Sequence, residues 1–312
     1  MGIGDDAAVI GSDQKPLLIS TDTLVEGLHF DLIYNPLKHL GYKAVVVSIS
    51  DIYAMNGVPE QIIFALSVSN KYSVEAVDEL YQGIQLACER YGVDLVGGDT
   101  TSSLKGMFLN ITAIGVGKPN KVVYRSTAKE NDLLCVSGDL GGAYVGLQLL
   151  EREKKIFLES PGVQPDLEGQ RYCVGRQLKP EARHDIIEKF EEVGLLPTSM
   201  IDISDGLSSE ILHLCKSSEV GCLLNEEQIP IYEETFDQAL KFNIDPTTCA
   251  LNGGEDYELL FTIDPSDEEK LSKIPDTKII GRMTDYTQGA KLNTRQGNVH
   301  NLIAQGWKSF SS

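Results

Sequence analysis

The chain has 312 residues, 42% of them hydrophobic, which is enough for two domains of ordinary size with filled cores. Its 27 basic and 46 acidic residues give a formal net charge of −19, which disfavours nucleic acid or an anionic membrane as the main partner. The sequence has neither an apolar run of about 18 residues nor a basic N-terminal segment followed by an apolar one. We therefore expect no membrane span, no signal peptide and a cytoplasmic location.

Two further features of the composition narrow the type of ligand. The six cysteines are scattered without a CxxC pair, which argues against a zinc site and against a disulfide framework. The acidic charge still permits an anionic small molecule, because divalent metal ions can lie between a phosphate group and carboxylates.

The first predicted element is a hairpin within residues 3–30. Two apolar runs, 7–10 and 17–19, flank GSDQKP, which has the composition of a turn, so the runs should pair antiparallel. Asp6 and Asp22 then lie together at the end away from the turn. Such carboxylates repel one another unless a cation holds them, and Mg²⁺ suits hard oxygen ligands. A turn and a polar strand end remain the alternative interpretation.

The rest of the first half alternates helical and strand patterns. Residues 35–51 open like a helix and continue into the apolar run 44–49, which ends close to Asp51. Residues 73–91 have apolar side chains at helical spacing, with Ser73 as a plausible N-cap. Strands are predicted at 61–69, 93–96 and 107–116.

A polar segment, residues 118–132, predicts a boundary between domains 1–125 and 126–312. In the second half, helices are predicted after the turn 138–142 to about residue 154, and at 180–193 and 205–217. Residues 155–180 are predicted to form a less regular insertion. Strands are predicted at 133–137, 199–203, 221–224 and 257–263.

Carboxylates recur directly after apolar runs, in LLISTD, VVVSISD, VDLVGGD and MIDISD. Interpreted as strand ends, these positions place the acids where rigid elements open into a ligand crevice. Helix capping alone would explain Ser204 or Asp205, but Asp202 is not needed for a cap. The GGED sequence at 253–256 and GGDTT at 97–101 are typical of tight turns as well as of ligand loops. Because GxGxxG and GxxxxGK[ST] are absent, a nucleotide site would be of another kind.

Six motifs, in chain order, closely resemble those of the thiamine-monophosphate kinase family: GIGDDAAV, ISTDTLVEGLHF, SDIYAMNG, VGGDTT, DISDGLSSEI and NGGEDYELLF. Aminoimidazole ribonucleotide synthetase, selenophosphate synthetase and a hydrogenase maturation protein belong to the same superfamily. The resemblance implies an α/β fold of two domains, in which the N-terminal sheet forms a barrel across a homodimer and the C-terminal domain has a mixed sheet. It implies phosphoryl transfer from ATP to thiamine phosphate, giving thiamine diphosphate, with several Mg²⁺ ions.

The resemblance also implies roles for individual residues. Metal ligands would be Asp6, Ser20, Thr21, Asp22, Asp51, Asp99, Asp202 and Asp205. Asp99 and Asp205 are expected to be essential for catalysis. ATP would contact Tyr81, Gly98, Asp99, Arg125 and Ser204, whereas thiamine phosphate would contact His29, Glu255 and Trp307.

The residues fit direct in-line transfer. The acceptor phosphate is largely dianionic near neutral pH, so a general base is not required, and positioning and charge neutralisation govern such reactions. The sequence lacks a GxSxG elbow, which gives nucleophilic catalysis little support. Two alternatives remain: another ATP- and Mg²⁺-dependent member of the superfamily, selenophosphate synthetase-like or aminoimidazole ribonucleotide synthetase-like, or a non-catalytic nucleotide-binding module.

Overall fold

A computed structural model describes residues 3–12 and 14–305. Internal contacts divide the chain into two compact units. Unit 1 contains the chain up to Val122 together with Leu150–Asp166 and Leu178–Ala182, and unit 2 contains Val123–Leu149, Leu167–Gln177 and the chain from Arg183 onward. The division into domains 1–125 and 126–312 remains a prediction. Within the described ranges, none of the helices combines the length and the hydropathy needed to cross a bilayer.

Unit 1 has one sheet with two long helices. Its elements are β1 (Ala8–Ser12), β2 (Lys15–Val25), α1 (Leu37–Ala54), β3 (Gly57–Ser69), α2 (Val74–Tyr91), β4 (Asp94–Ser103) and β5 (Met107–Gly117). The strand order is β1-β2-β5-β3-β4, and only the β3/β4 pair is parallel. The predicted hairpin is confirmed, because Ala8 pairs with Ile19 and Ser12 with Lys15.

Helix α1 corrects one of the predicted strand ends, that of VVVSISD. The apolar run 44–49 and Asp51 belong to this helix, which is buried along most of its length and packs on β5, β2 and β3. A helix enclosed on all sides has a continuous apolar pattern, which periodicity alone cannot distinguish from a buried strand. Asp22 and Asp99 also lie within strands rather than at their ends, whereas Asp202 does end its strand.

Helices α1 and α2 approach each other closely at two glycines. A Cβ at Gly41 would overlap the carbonyl oxygen of Leu80, and one at Gly83 would overlap that of Lys38. The predicted limits of α2 are confirmed: the Ser73 side chain accepts a hydrogen bond from the Ala76 amide, and Gly92 ends the helix at φ 66°.

The two faces of the unit 1 sheet differ. We call the face against α1 the helix face and the opposite one the open face. Side chains alternate between the faces along each strand, so buried Ile62 and Phe64 lie on the helix face and exposed Ile63 on the open face. Val58 and Phe108 are also exposed, and β4, an edge strand, is exposed along almost its whole length.

Unit 2 is built on a seven-stranded sheet of order β12-β11-β8-β10-β6-β9-β7, in which only the β11/β8 pair is parallel. Its strands are β6 (Leu133–Ser137), β7 (Ser199–Asp202), β8 (Gly221–Asn225), β9 (Leu259–Ile263), β10 (Thr277–Thr284), β11 (Ala290–Asn293) and β12 (Val299–Asn301). Helices α5 (His184–Val193), α6 (Leu207–Ser218), α7 (Glu233–Lys241), α8 (Pro246–Asn252) and α9 (Glu268–Leu271) accompany them. Leu207, Ile211 and Leu214 of α6 join its core.

The predicted insertion at 155–180 is wrong in part. Helix α3 (Gly142–Glu159), which has residues in both units, continues beyond the predicted end, and α4 (Arg171–Leu178) follows. Two mixed sheets with flanking helices confirm the α/β fold class.

Candidate active site

Strand β2 sends its polar side chains to both faces of the unit 1 sheet. Ser20 is buried on the helix face, where its hydroxyl donates a hydrogen bond to the Asp51 carboxylate on α1. Thr21 is exposed on the open face, and its hydroxyl lies 3.1 Å from that of Thr112. The structure therefore brings Ser20 and Asp51 together and directs the Thr21 side chain elsewhere.

Asp22 is a carboxylate enclosed by protein. Burial raises the pKa of Asp22, and a hydrogen bond with the Ser48 side chain of α1 partly offsets the shift. Its Oδ2 atom is buried with no hydrogen-bond partner among the described residues. A buried carboxylate oxygen in this state is unfavourable unless a ligand compensates it. Asp6, also buried, precedes β1 by two residues.

Strand register places Gly98 and Asp99 at a distance from Asp22. Asp22 pairs with Ile111, Ile111 with Phe64, and Phe64 with Gly98, so two strands separate Asp22 from Gly98. With neighbouring strands about 4.8 Å apart, their backbones are separated by roughly 14 Å. Asp99, one residue further, points to the open face. The predicted ligands Thr21 and Asp99 thus share the open face, opposite Ser20 and Asp22.

His29 has a defined orientation. Its Nδ1 atom accepts a hydrogen bond from the Val25 amide at 3.0 Å. In the neutral ring the proton must then reside on Nε2, which makes that atom a donor. This arrangement suits contact with an anionic oxygen.

Tyr81 of α2 borders a hollow in unit 1. The hollow has a volume of about 520 Å³ and is lined by Tyr81, Gln85 and Cys88 of α2 and by the start of β4. The Tyr81 and Phe64 rings form a T-shaped pair, with 5.4 Å between the centroids. The hollow offers an aromatic surface of the kind that a planar ring can contact.

In unit 2, the turn between β7 and α6 collects three acids. The N-cap of α6 is Gly206, at φ 110°, so the prediction of Ser204 or Asp205 as the cap is wrong. Glu210, in the first turn, accepts a hydrogen bond from the Asp205 amide at 2.9 Å. Within the part of the chain that the structure describes, no side chain donates or accepts a cap hydrogen bond at the N-cap of α6, so the Asp205 carboxylate is not used for capping. Sequence reasoning missed Glu210, because it lies four residues after the N-cap and not at the three-residue spacing of a capping box.

Two of these acids, Asp205 and Glu210, have raised pKa values. The pKa of Glu210 is raised to about 8, chiefly by burial and in smaller part by the neighbouring charges of Asp202 and Asp205. Burial also raises the pKa of Asp205, against the opposing charges of His213 and Arg125. The predicted ATP contact Arg125 therefore lies near the predicted metal ligands of unit 2. Closely spaced acids with raised pKa values suit a divalent cation.

The sequence Glu255-Asp256-Tyr257-Glu258 lies beside the same turn. The Glu255 amide donates to the Ser204 carbonyl at 2.7 Å, and the Tyr257 amide donates to the Ile203 carbonyl at 2.9 Å. Glu255 and Tyr257 have left-handed φ values of 59° and 52°. Non-glycine residues adopt this conformation at a cost, and strained residues of this kind are enriched at functional sites. The first of the two backbone hydrogen bonds places Ser204, a predicted ATP-binding residue, beside Glu255, a predicted residue for binding thiamine phosphate.

Two arginines that sequence reasoning missed hold the acids after Glu255. Glu258 Oε1 lies 3.0 Å from Arg176 Nη1, and Glu258 Oε2 lies 2.6 Å from Arg183 Nη1. Asp256 accepts hydrogen bonds from the Gly141 amide at 2.8 Å and the Ala143 amide at 3.4 Å. Trp307, the remaining predicted contact, lies outside the described residues.

The chain is similar to known proteins over nearly its whole length. The family described as "AIR synthase related protein, N-terminal domain" matches residues 4–117. The thiamine-monophosphate kinase of Aquifex aeolicus is 33% identical, covering 99% of this chain and 92% of the relative, and that of Buchnera aphidicola subsp. Schizaphis graminum is 36% identical, covering 96% and 89%. A solved structure described as AaThiL complexed with AMPPCP and TMP has a TM-score of 0.85 and 31% identity, covering 99% and 92%.

Proposed function

The chain belongs to the thiamine-monophosphate kinase family, and on this premise we propose that it transfers the γ-phosphoryl group of ATP to thiamine phosphate, giving ADP and thiamine diphosphate. The observation that carries this proposal is its similarity, over nearly the whole of both chains, to a structure complexed with AMPPCP, an analogue of ATP, and TMP. We propose a cytoplasmic location, with neither nucleic acid nor membrane as a partner.

The chain's carboxylates fit the Mg²⁺ ions that this reaction would use. Asp22 Oδ2 has no hydrogen-bond partner within the described part of the chain, and the pKa of Asp205 is raised; both are properties of groups that favour a nearby cation. We assign the metals to the predicted oxygen ligands in both units, Asp6, Ser20, Thr21, Asp22, Asp51, Asp99, Asp202 and Asp205. Bound Mg²⁺ would neutralise the charge of the triphosphate and of the acceptor phosphate.

The protein's own groups would bind and orient the two substrates. The acceptor phosphate is largely dianionic near pH 7, so the protein has no proton to remove from it. His29 would donate from Nε2 to a phosphate oxygen of thiamine phosphate, and Arg125 and Ser204 would contact ATP. Tyr81 would contact the adenine from the hollow beside α2. We propose direct in-line transfer, in which these contacts align the two phosphates.

We also propose that the protein is a homodimer whose subunits cover each other's open face, forming a barrel. Exposed Val58, Ile63 and Phe108 give this face an apolar surface whose contact with water is unfavourable and which a second subunit could bury. Because Thr21 and Asp99 lie on this face, in the dimer they would serve a site that includes the second subunit. Residues 1–125 would then provide ATP and Mg²⁺ binding and dimerisation, and residues 126–312 would complete the active site.

Formation of ADP tests the proposed reaction. We expect purified protein with ATP and Mg²⁺ to form ADP when thiamine phosphate is added, and not when thiamine without its phosphate replaces it. Equal ATP consumption with and without thiamine phosphate would contradict the proposal. For the in-line step, a chiral γ-phosphate should be transferred with inversion of configuration, whereas retention would indicate a phosphoenzyme.

A further inference from the structure

Three acids follow one another closely in the turn after Gly254, and they have different partners. Asp256 and Glu258, both 1% exposed, lie near the guanidinium groups of Arg176 and Arg183. Glu255 instead accepts a hydrogen bond on Oε2 from the side-chain amide of Gln177, at 2.7 Å. A neutral amide orients a carboxylate without cancelling its charge.

Gln177 is itself held firmly in place. It is 3% exposed and follows Arg176 in the last turn of α4. The Arg176 guanidinium donates to the Asp139 carbonyl at 3.0 Å and to the Asp256 carbonyl at 3.2 Å, which fixes α4 against the turn. On the other side, a Cβ at Gly146 of α3 would overlap the Cys173 carbonyl and come within 3.0 Å of Gln177 Cβ. The position from which the amide donates is therefore determined by packing.

Glu255 needs such a partner because its backbone alone does not orient its carboxylate. The left-handed φ and the bond from its amide to Ser204 fix the main chain. Three side-chain torsions remain, and their freedom opposes binding unless something restricts it. Gln177 supplies that restriction from a separate helix.

We propose that Gln177 is a positioning residue for thiamine phosphate. The Gln177 amide holds the Glu255 carboxylate in the orientation in which it accepts a hydrogen bond from an N–H group of the substrate's aminopyrimidine ring. This inference rests on the proposed function and on the proposed contact between Glu255 and that substrate.

Replacement of Gln177 by methionine tests the inference, because Gln177→Met keeps the length of the side chain and removes the donor. We expect the KM for thiamine phosphate to rise about tenfold, the effect of losing a hydrogen bond to a charged group. The KM for ATP and the thermal unfolding midpoint should stay near their wild-type values. Gln238→Met is the matched control, since Gln238 is 2% exposed in the same unit and contacts Lys241.

A double-mutant cycle separates positioning from general packing. In a Glu255→Ala background, Gln177→Met should raise the KM no further, because Gln177 acts through Glu255. An additional tenfold rise there, or equal rises in the two KM values, overturns the inference. If Gln177→Met does not fold, Gln177→Glu replaces it: the like charge beside Glu255 should raise the KM for thiamine phosphate alone.

The wild-type reaction distinguishes the two levels of the proposal. If wild-type protein forms ADP with thiamine phosphate and Gln177→Met retains the wild-type KM, only the role of Gln177 fails. If wild-type protein does not use thiamine phosphate, the proposed function fails, and this inference fails with it.

Discussion

Two sets of buried acids in this chain are accommodated in different ways. In unit 2, in the turn after Gly254, Glu258 contacts both Arg176 and Arg183, and its side chain is 1% exposed. In unit 1, Asp22 is half-buried, its Oδ2 atom is buried with no hydrogen-bond partner among the described residues, and burial raises its pKa. Buried charges are tolerated when paired, and an uncompensated one destabilises the fold. The first set therefore serves the structure, and the second is suited to a ligand.

The turn between β7 and α6 resembles the second set. Burial raises the pKa values of Asp205 and Glu210, and the charges of Asp202 and Asp205 add to the shift of Glu210. The charge of Arg125 opposes both shifts without reversing them. This difference between paired and uncompensated acids can be tested by removing one charge at a time.

The largest effect is expected from Asp205→Asn. Loss of a metal-binding charge should reduce turnover about a thousandfold, because metal-borne charge stabilisation is worth several kcal/mol. Steady-state ADP formation measures the change, and circular dichroism checks the fold. Asp237→Asn, which alters an exposed acid of α7, is the control and should be near wild type. Activity close to that of wild type in Asp205→Asn would remove this residue from the site.

Removal of a paired acid should mainly lower the stability of the fold. Glu258→Gln leaves two arginines facing a neutral group, which we expect to cost about 3 to 5 kcal/mol of unfolding free energy. Urea denaturation measures the loss. The control is Glu269→Gln, whose exposed pair with Lys273 should contribute no more than about 1 kcal/mol. Equal losses of unfolding free energy in the two variants would show that burial does not increase the contribution of an ion pair to stability.

The uncompensated acid should behave in the opposite way. In EDTA near neutral pH, Asp22→Asn should unfold at a higher temperature than wild type, because it lacks a buried charge. Mg²⁺ at a hundred times its Kd should stabilise the wild type by about 2.7 kcal/mol and the variant by less. Scanning calorimetry with and without Mg²⁺ measures both. A variant that is less stable than wild type in EDTA would make Asp22 a structural acid.

The smallest effect on stability is expected for Glu181, a paired acid in unit 1. Because Asp22 lies in the same unit, comparing the two distinguishes the effect of pairing from that of the unit in which the acid lies. Glu181 accepts hydrogen bonds from Tyr42 at 2.7 Å and Tyr91 at 2.6 Å. Although burial opposes it, bonds from Tyr91, Lys179 and Tyr42 lower the pKa of Glu181 below its ordinary 4.5. Its stabilisation is thus present above pH 4.5 and lost as pH falls through the folded-state pKa.

We therefore expect Glu181→Gln to be less stable than wild type at pH 7 and to approach it as the pH falls below 4.5. Asp22→Asn should show the reverse trend in EDTA, because the pKa of Asp22 is raised and the wild type recovers stability as Asp22 takes up a proton. Thermal unfolding midpoints between pH 3 and 7 compare the two variants. Parallel pH profiles would contradict the distinction.

Local patterns predicted much of the fold. The β1/β2 hairpin, helix α2 with Ser73 and Gly92, and strand β6 were predicted because turn composition, caps and periodicity act over a few residues. Asp51 was assigned to a strand end because its apolar run matches a buried strand as well as a buried helix. Helix α4 was missed because neither a strong cap nor a wide apolar face marks it.

The sequence by itself determined which acids are available, Asp22 and Asp205 among them, and the family to which the chain belongs. Only the tertiary structure decided which acids are paired, since Arg176 and Glu258 are 82 residues apart in the chain and Gln177 and Glu255 are 78 apart. It also decided that Asp22 and Asp99 occupy opposite faces of one sheet. Strand register and helix packing set these relations, and both depend on contacts between distant segments that local periodicity does not encode.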